Sequence, residues 1–128
     1  MGFKIHTSDP DAGWEYFPAS AINTHVGTAL VQNNGLLEIA SGDVKPTYIS
    51  MHESGKALES GKVIPVMRVR PDAIYECDTT ENMTTVNIGD KVTISSDGNS
   101  VTSASGAHVE VVAKMKTSAG TTVRVRFE

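Results

Sequence analysis

The sequence predicts an all-β protein, a small β-barrel or sandwich with an irregular N-terminal arm and at most one short helix. Short runs rich in β-branched residues are separated by turn signals at regular spacing throughout residues 27–128. Only residues 56–60 are compatible with a helical turn, and a glycine on each side limits its length. The first 24 residues show neither helical nor strand periodicity. A chain of 128 residues has the length of one domain, which we divide into an arm (1–24) and a β-barrel domain (25–128).

The first strands of the domain follow from turn chemistry and alternation. Residues 28–40 read as a hairpin, because the Asn34-Gly35 pair supplies the positive φ angles of a tight turn. Residues 48–52 alternate as a strand with one buried face. Residues 62–70 are also strand-like, but Pro65 cannot donate to a ladder, which predicts an edge strand or a bulge there.

The C-terminal third has the clearest strand pattern. Turns at 97–99 and 118–120 separate segments in which β-branched residues alternate with polar ones. The residues predicted to face the core are Val92, Ile94, Val109, Val111, Ala113, Val123, Val125 and Phe127.

The arm holds four of the seven aromatic residues, Phe3, Trp14, Tyr16 and Phe17. Aromatic side chains bury large areas and dominate the energetics of interfaces. One interpretation is that the arm folds back over its own domain, covering a sheet edge or plugging the core. The other, which we favour, is that the arm docks on another chain. The four aromatic residues are therefore candidate partner-binding residues.

Four arginines, Arg68, Arg70, Arg124 and Arg126, are predicted to lie on the polar side of their strands. If those strands pair, the arginines form a basic patch for an acidic partner, since guanidinium groups match carboxylates well. Alternatively, each is neutralised across its ladder by a glutamate, with Glu76, Glu110 and Glu128 available. The sequence favours the second interpretation, and the four arginines are kept as candidate partner-binding residues.

The chain offers little chemistry for catalysis. Eleven basic against fifteen acidic residues give a net charge of −4, without the basic excess of a general nucleic-acid binder. The single cysteine, Cys77, has no neighbouring His or Lys in sequence and is predicted to be a small buried hydrophobe. The four histidines are too dispersed for ligand spacing. We therefore predict no catalytic residue, no metal site, no cofactor and no enzyme activity.

Two further features concern the N-terminal region. Asp9, Asp11 and Glu15 are acidic residues that could hold a cation, but solvated turn residues are the favoured interpretation. The first residues lack the apolar run of a signal peptide, and no window approaches the ~18 apolar residues of a membrane span. We expect a soluble protein made in the cytoplasm.

A characteristic order of turns and short strands runs through about residues 27–128. Its segments are Gly27-Thr28-Ala29-Leu30-Val31, Gly35-Leu36-Leu37, Ala40-Ser41-Gly42, residues 46–49, Gly61-Lys62-Val63-Ile64-Pro65-Val66, Gly89-Asp90-Lys91-Val92, Asp97-Gly98, Val101-Thr102, Val109-Glu110-Val111-Val112 and Val123-Arg124-Val125-Arg126-Phe127. In these segments the domain resembles the head decoration (capsid cement) proteins of tailed bacteriophages.

The resemblance implies a virion protein on the exterior of the expanded phage capsid. Such a protein sits there as a homotrimer and clamps neighbouring subunits of the major capsid protein, without a cofactor or direct contact to nucleic acid. The residues themselves leave open an alternative, an SH3-like or OB-like module that binds a peptide or nucleic acid. Single-strand binders need aromatic stacking platforms on the sheet, and outside the arm only Tyr48 and Tyr75 could serve. A small hydrolase or isomerase built from dispersed His and Asp is the least favoured.

Overall fold

In the computed structural model, which describes residues 2–7 and 13–128, those residues form eleven β-strands in two sheets and no helix. The predicted all-β class is confirmed. Residues 56–60 are irregular, because Gly55 and Gly61 on either side adopt positive φ angles of 68° and 91°. The strands are β1 Lys4–Thr7, β2 Trp14–Ala19, β3 Ala29–Asn33, β4 Leu36–Ile39, β5 Tyr48–Ser50, β6 Lys62–Arg68, β7 Ile74–Thr79, β8 Lys91–Ile94, β9 Val101–Ser105, β10 Val109–Thr117 and β11 Gly120–Phe127.

Five strands close into a barrel in the order β2-β4-β3-β5-β6. The β3–β4 hairpin turns at Asn34 and Gly35, with φ angles of 52° and 81°, as the Asn-Gly signal predicts. The contact between β2 and β4 is parallel and pairs Ala19 with Leu37, whereas the other neighbours are antiparallel. The barrel has its own core, formed by Ala19, Leu30, Leu37, Tyr48, Leu58, Ile64 and Val66.

The other six strands form a sheet in the order β1-β7-β11-β10-β8-β9. Its inner face is buried in a second core that contains seven of the eight residues predicted from the C-terminal alternation. The exception is Ala113. A bulge after Val111 shifts the register so that Ala113 lies opposite Arg124, and it therefore shares the outer side with that residue.

The prediction of an irregular arm is wrong for Lys4–Thr7 and Trp14–Ala19, because these two strands are built into the sheets, whereas residues 20–24 are irregular as predicted. β1 pairs with β7 at the edge of the six-stranded sheet, and β2 closes the barrel against β6. Phe3 is buried and packs edge-on against Phe127, with ring centroids 5.2 Å apart. The backbone N–H of Phe3 donates to the carbonyl of Gly27 at 2.8 Å. This segment is part of the folded domain rather than an extension from it.

The prediction of an edge or a bulge at Pro65 is also wrong. β6 lies between β2 and β5, and its register with β2 runs continuously from Ala19–Lys62 to Trp14–Met67. The Pro65 carbonyl accepts from the Met51 N–H at 2.9 Å, on the β5 side of the strand. In an antiparallel strand the nitrogen of a residue points to the same side as its carbonyl. The Pro65 nitrogen therefore points away from β2, so its missing N–H removes no bond from the β2–β6 ladder. It faces Met51, which lies beyond the end of β5 at Ser50.

Candidate docking surface

The outer side of the β2–β6 pair carries three apolar cross-strand pairs, Trp14–Met67, Tyr16–Pro65 and Pro18–Val63. We call these six residues the barrel face. Residues alternate across a strand, so the inner neighbours Phe17 and Ala19 on β2, and Ile64 and Val66 on β6, point into or against the barrel core. Both sides of this part of the barrel are therefore apolar.

Three members of the barrel face are strongly exposed: Tyr16 at 62%, Val63 at 56% and Trp14 at 55% of full accessibility. Because the polar backbone groups of Pro65 point towards β5, Tyr16 and Pro65 form a non-hydrogen-bonded pair. Hydrogen-bonded and non-hydrogen-bonded pairs alternate along an antiparallel ladder, so Trp14–Met67 and Pro18–Val63 are of the same type. In such pairs the Cα atoms are only ~4.5 Å apart, so the side chains lie close together. The result is a contiguous apolar surface on a closed barrel that has no free edge between its strands.

Ion pairing and aromatic contacts fix one end of this surface. The guanidinium of Arg68 donates to both carboxylate oxygens of Glu15, at 2.9 and 3.0 Å, and lies 5.1 Å from the ring centroid of Tyr48. The hydrogen bond to Glu15 is the main cause that raises the pKa of Arg68 above its ordinary value. The Phe17 ring packs on Tyr48 with centroids 5.0 Å apart. Together these contacts join the first part of β2 to β6 and to Tyr48 of β5.

A groove of about 330 Å³ adjoins the barrel face at Met67. The residues lining it are Phe3, Lys4, Ile5, Val26, Met51, Glu53 and Met67. Its lining is apolar except for Lys4 and Glu53. Glu53 contacts His25 and also accepts from the Val26 N–H at 3.3 Å. The hydrogen bond from His25 is the main cause that lowers the pKa of Glu53, so this carboxylate stays ionised beside the groove.

The outer side of the six-stranded sheet differs, since its charges are paired across the ladder. Arg124 donates to Glu76 at 3.1 Å and Arg126 to Glu110 at 3.2 Å. Both glutamates lie directly opposite their arginines in the register. Lys91 pairs with the third predicted glutamate, Glu128, at 2.8 Å. For Arg124 and Arg126, the interpretation of ladder neutralisation is confirmed.

The other two arginines do not join them. Arg68 belongs to β6 of the barrel and Arg70 lies in the loop after it, whereas Arg124 and Arg126 belong to β11 in the other sheet. The predicted patch required β6 and β11 to pair, and they do not. The Arg70 backbone N–H donates to the Tyr75 hydroxyl at 3.4 Å. Hence the four arginines do not form a single basic surface by strand pairing.

The four aromatic candidates fall into three classes. Phe3 is a core residue, so its prediction as a contact residue is wrong for this fold. Phe17 is half-buried against the barrel core, while Trp14 and Tyr16 stand out on the barrel face. Sequence reasoning missed the rest of the face, Pro18, Val63, Pro65 and Met67. A signal for this face was present in the sequence. Alternate positions of segments 14–18 and 63–67 (14, 16 and 18; 63, 65 and 67) are all apolar, and so are positions 17, 64 and 66 between them.

Burial decides the remaining chemical candidates. Cys77 is buried, which confirms the prediction of a small buried hydrophobe, and this desolvation raises the pKa of its thiol to about 12. Tyr48 and Tyr75, which the nucleic-acid alternative needs as stacking platforms, are both buried. Among the described residues no three His, Cys, Asp or Glu side chains meet in a cluster that could hold a metal ion. Asp9 and Asp11, of the possible cation site with Glu15, lie outside those residues.

Comparison with protein-family models, with curated proteins and with solved structures finds no match to this chain. Within residues 2–7 and 13–128 there is no helix with the length and hydropathy needed to cross a membrane. The feature of the molecule that bears on function is the contrast between its two outer surfaces, one apolar and one neutralised by ion pairs.

Proposed function

We propose that this chain is a structural virion protein that binds the outer surface of the expanded phage capsid and stabilises it by bridging capsid subunits. The observation that supports docking most directly is the barrel face, with Trp14, Tyr16 and Val63 each more than half exposed. The resemblance of residues 27–128 to capsid decoration proteins supports the choice of partner, the major capsid protein.

The two surfaces suit a protein that is bound on one side and in water on the other. Exposed apolar patches on soluble proteins mark interaction sites, and aromatic residues are enriched in them. The ion-paired outer side of the six-stranded sheet keeps its charges hydrogen-bonded whether or not a partner is present. A closed barrel also presents its face already ordered, which lowers the entropic cost of association.

Such a protein stabilises the shell by linkage. A ligand that binds the assembled state and not the free subunits shifts the equilibrium towards assembly by mass action. A homotrimer, as the resemblance implies, would make three weak contacts at once, and effective concentration would raise the overall affinity well above that of one contact. No catalytic step is required for this function.

The test is to mix the purified chain with expanded, undecorated heads of the phage that encodes it and to sediment the heads. Saturable co-sedimentation is expected, together with a rise in the temperature at which the heads release DNA. Unexpanded heads serve as the control and should bind less. A chain that stays in the supernatant at all concentrations would refute the proposal. Light scattering of the free chain then tests the trimer separately.

A further inference from the structure

We propose that the barrel face and the adjoining groove form one continuous apolar track that holds an extended segment of the capsid subunit, with one of its apolar side chains in the groove. This inference rests on the proposed function and specifies the surface and the chemistry of its partner.

Met67 makes the two parts continuous, because it belongs to the barrel face through its pair with Trp14 and also lines the groove. Beyond Met67, the apolar lining of the groove continues with Met51 and with the exposed side chains of Ile5 and Val26. The track thus runs from the Pro18 end of β2 to the gap between the two sheets. All of its members up to the charged groups at the groove are apolar.

The spacing along the track favours an extended partner. Same-side residues of a strand recur every ~6.6–6.8 Å, so the three apolar pairs span ~13 Å, and the groove extends the track to ~20 Å. An extended segment presents its own same-side residues at the same interval. Three or four alternate apolar side chains of such a segment would meet the three pairs and the groove in turn. Strands that pack face to face lie within about 30° of each other, which sets the direction of the segment.

The groove suits a side chain of variable shape. Its volume of about 330 Å³ accommodates one large apolar side chain, since ligand pockets begin near ~300 Å³. Met51 and Met67 are unbranched and polarizable, so they adjust to the group that enters. Phe3, held against Phe127, gives the groove a rigid floor.

The size of the barrel face argues against a second copy of this chain as the occupant. From the exposed fractions, its six side chains offer on the order of 400 Å², since an aromatic residue contributes up to ~250 Å² in all. A stable complex between two free proteins buries ~800 Å² on each partner. A single contact through the barrel face is therefore weak, which suits a partner that repeats the contact many times, as a shell does.

The first experiment uses substitutions and the sedimentation of expanded heads. Tyr16→Ser should weaken binding at least tenfold. Met115→Ser is the matched control, because Met115 is equally exposed at 61% but lies on β10, away from the track; its binding should change less than twofold. Val26→Ser tests the groove and should weaken binding several-fold. Circular dichroism and melting temperature establish that each variant is folded.

A second measurement does not depend on loss of affinity. Cys77 is buried, so the native chain presents no reactive thiol, and single cysteines can be placed by Val63→Cys, Tyr16→Cys and Met115→Cys. Maleimide labelling at positions 16 and 63 should slow at least tenfold when heads are added at a concentration that saturates each variant, while labelling at 115 should not change.

The outcomes separate the two proposals. If the wild-type chain does not bind heads, the proposed function fails and the inference fails with it. If wild type binds but Tyr16→Ser binds equally well and labelling at 16 and 63 is unprotected, the inference alone is overturned. If positions 16 and 63 are protected without heads and the mass of the chain rises with concentration, a second copy occupies the track, which also overturns the inference.

Discussion

Replacing Phe3 by alanine tests whether the N-terminal segment is part of the domain. Phe3 is only 1% exposed and its ring packs edge-on against Phe127. Burying a phenylalanine contributes ~1.5–3 kcal/mol through transfer from water, and a cavity left in a packed core raises the loss for Phe→Ala to about 3–5 kcal/mol. Since domains of this kind have a free energy of unfolding of ~5–15 kcal/mol, Phe3→Ala should remove about a fifth of it or more.

The assay is urea unfolding followed by far-UV circular dichroism. With an m value of ~2 kcal/mol/M, a loss of about 4 kcal/mol lowers the urea midpoint by ~2 M. Met115→Ala, at an exposed position of β10, is the control and should change the free energy of unfolding by no more than ~0.5 kcal/mol. If Phe3→Ala behaves like this control, Phe3 does not stabilise the core and the N-terminal segment is a separable arm.

Four further outcomes are expected. Deleting residues 1–20 removes β1 and β2, so the barrel cannot close and circular dichroism should show an unfolded chain; a cooperative melt would contradict this. Gly27→Ala places a Cβ 2.7 Å from a backbone nitrogen at a φ of +103°, and should cost at least ~2 kcal/mol in urea unfolding. Burial raises the pKa of Cys77 to about 12 from an ordinary 9.0, so the stability that its neutral thiol contributes is complete below pH 9 and is lost as pH rises towards 12. The free energy of unfolding of wild type should therefore fall relative to Cys77→Ala by up to ~1.4 kcal/mol per pH unit in that range, and parallel pH profiles would exclude the effect. A double-mutant cycle on the partly exposed pair Arg124 and Glu76 should give a coupling energy below ~1 kcal/mol, and a value of 3 kcal/mol would mean that the pair is buried in solution.

Local signals in the sequence predict those strands in which one side is buried and the other polar. β11 is the clearest case, because Val123 and Val125 face the core while Arg124 and Arg126 face solvent. The Asn34-Gly35 turn is equally direct, since few residue pairs tolerate two consecutive positive φ angles. These features depend only on neighbours in the chain.

β2 escaped prediction because its outer side is apolar too. Alternation is the strand signal, and it disappears when Trp14, Tyr16 and Pro18 lie outside while Phe17 and Ala19 lie inside. The apolar outer side of β2 makes it a candidate docking element, and the same apolar side removes the alternation from which a strand would be predicted. The assignment of strands to two different sheets could not be predicted either, because it depends on pairings between residues far apart in the chain. For this reason the alternation alone could not decide whether the arginines of β6 and β11 lie side by side, and they lie in different sheets.

The contact between Phe3 and Phe127 has a consequence for how the chain reaches its fold. Two rings separated by almost the whole sequence share one core, and β1 completes a sheet whose central strand, β11, is the last to be synthesised. Pairings of such long range require closure of large loops before any contact forms, which slows folding. The six-stranded sheet therefore cannot be completed on the ribosome while β11 is still in the exit tunnel, and until then β7 lacks its neighbour β11.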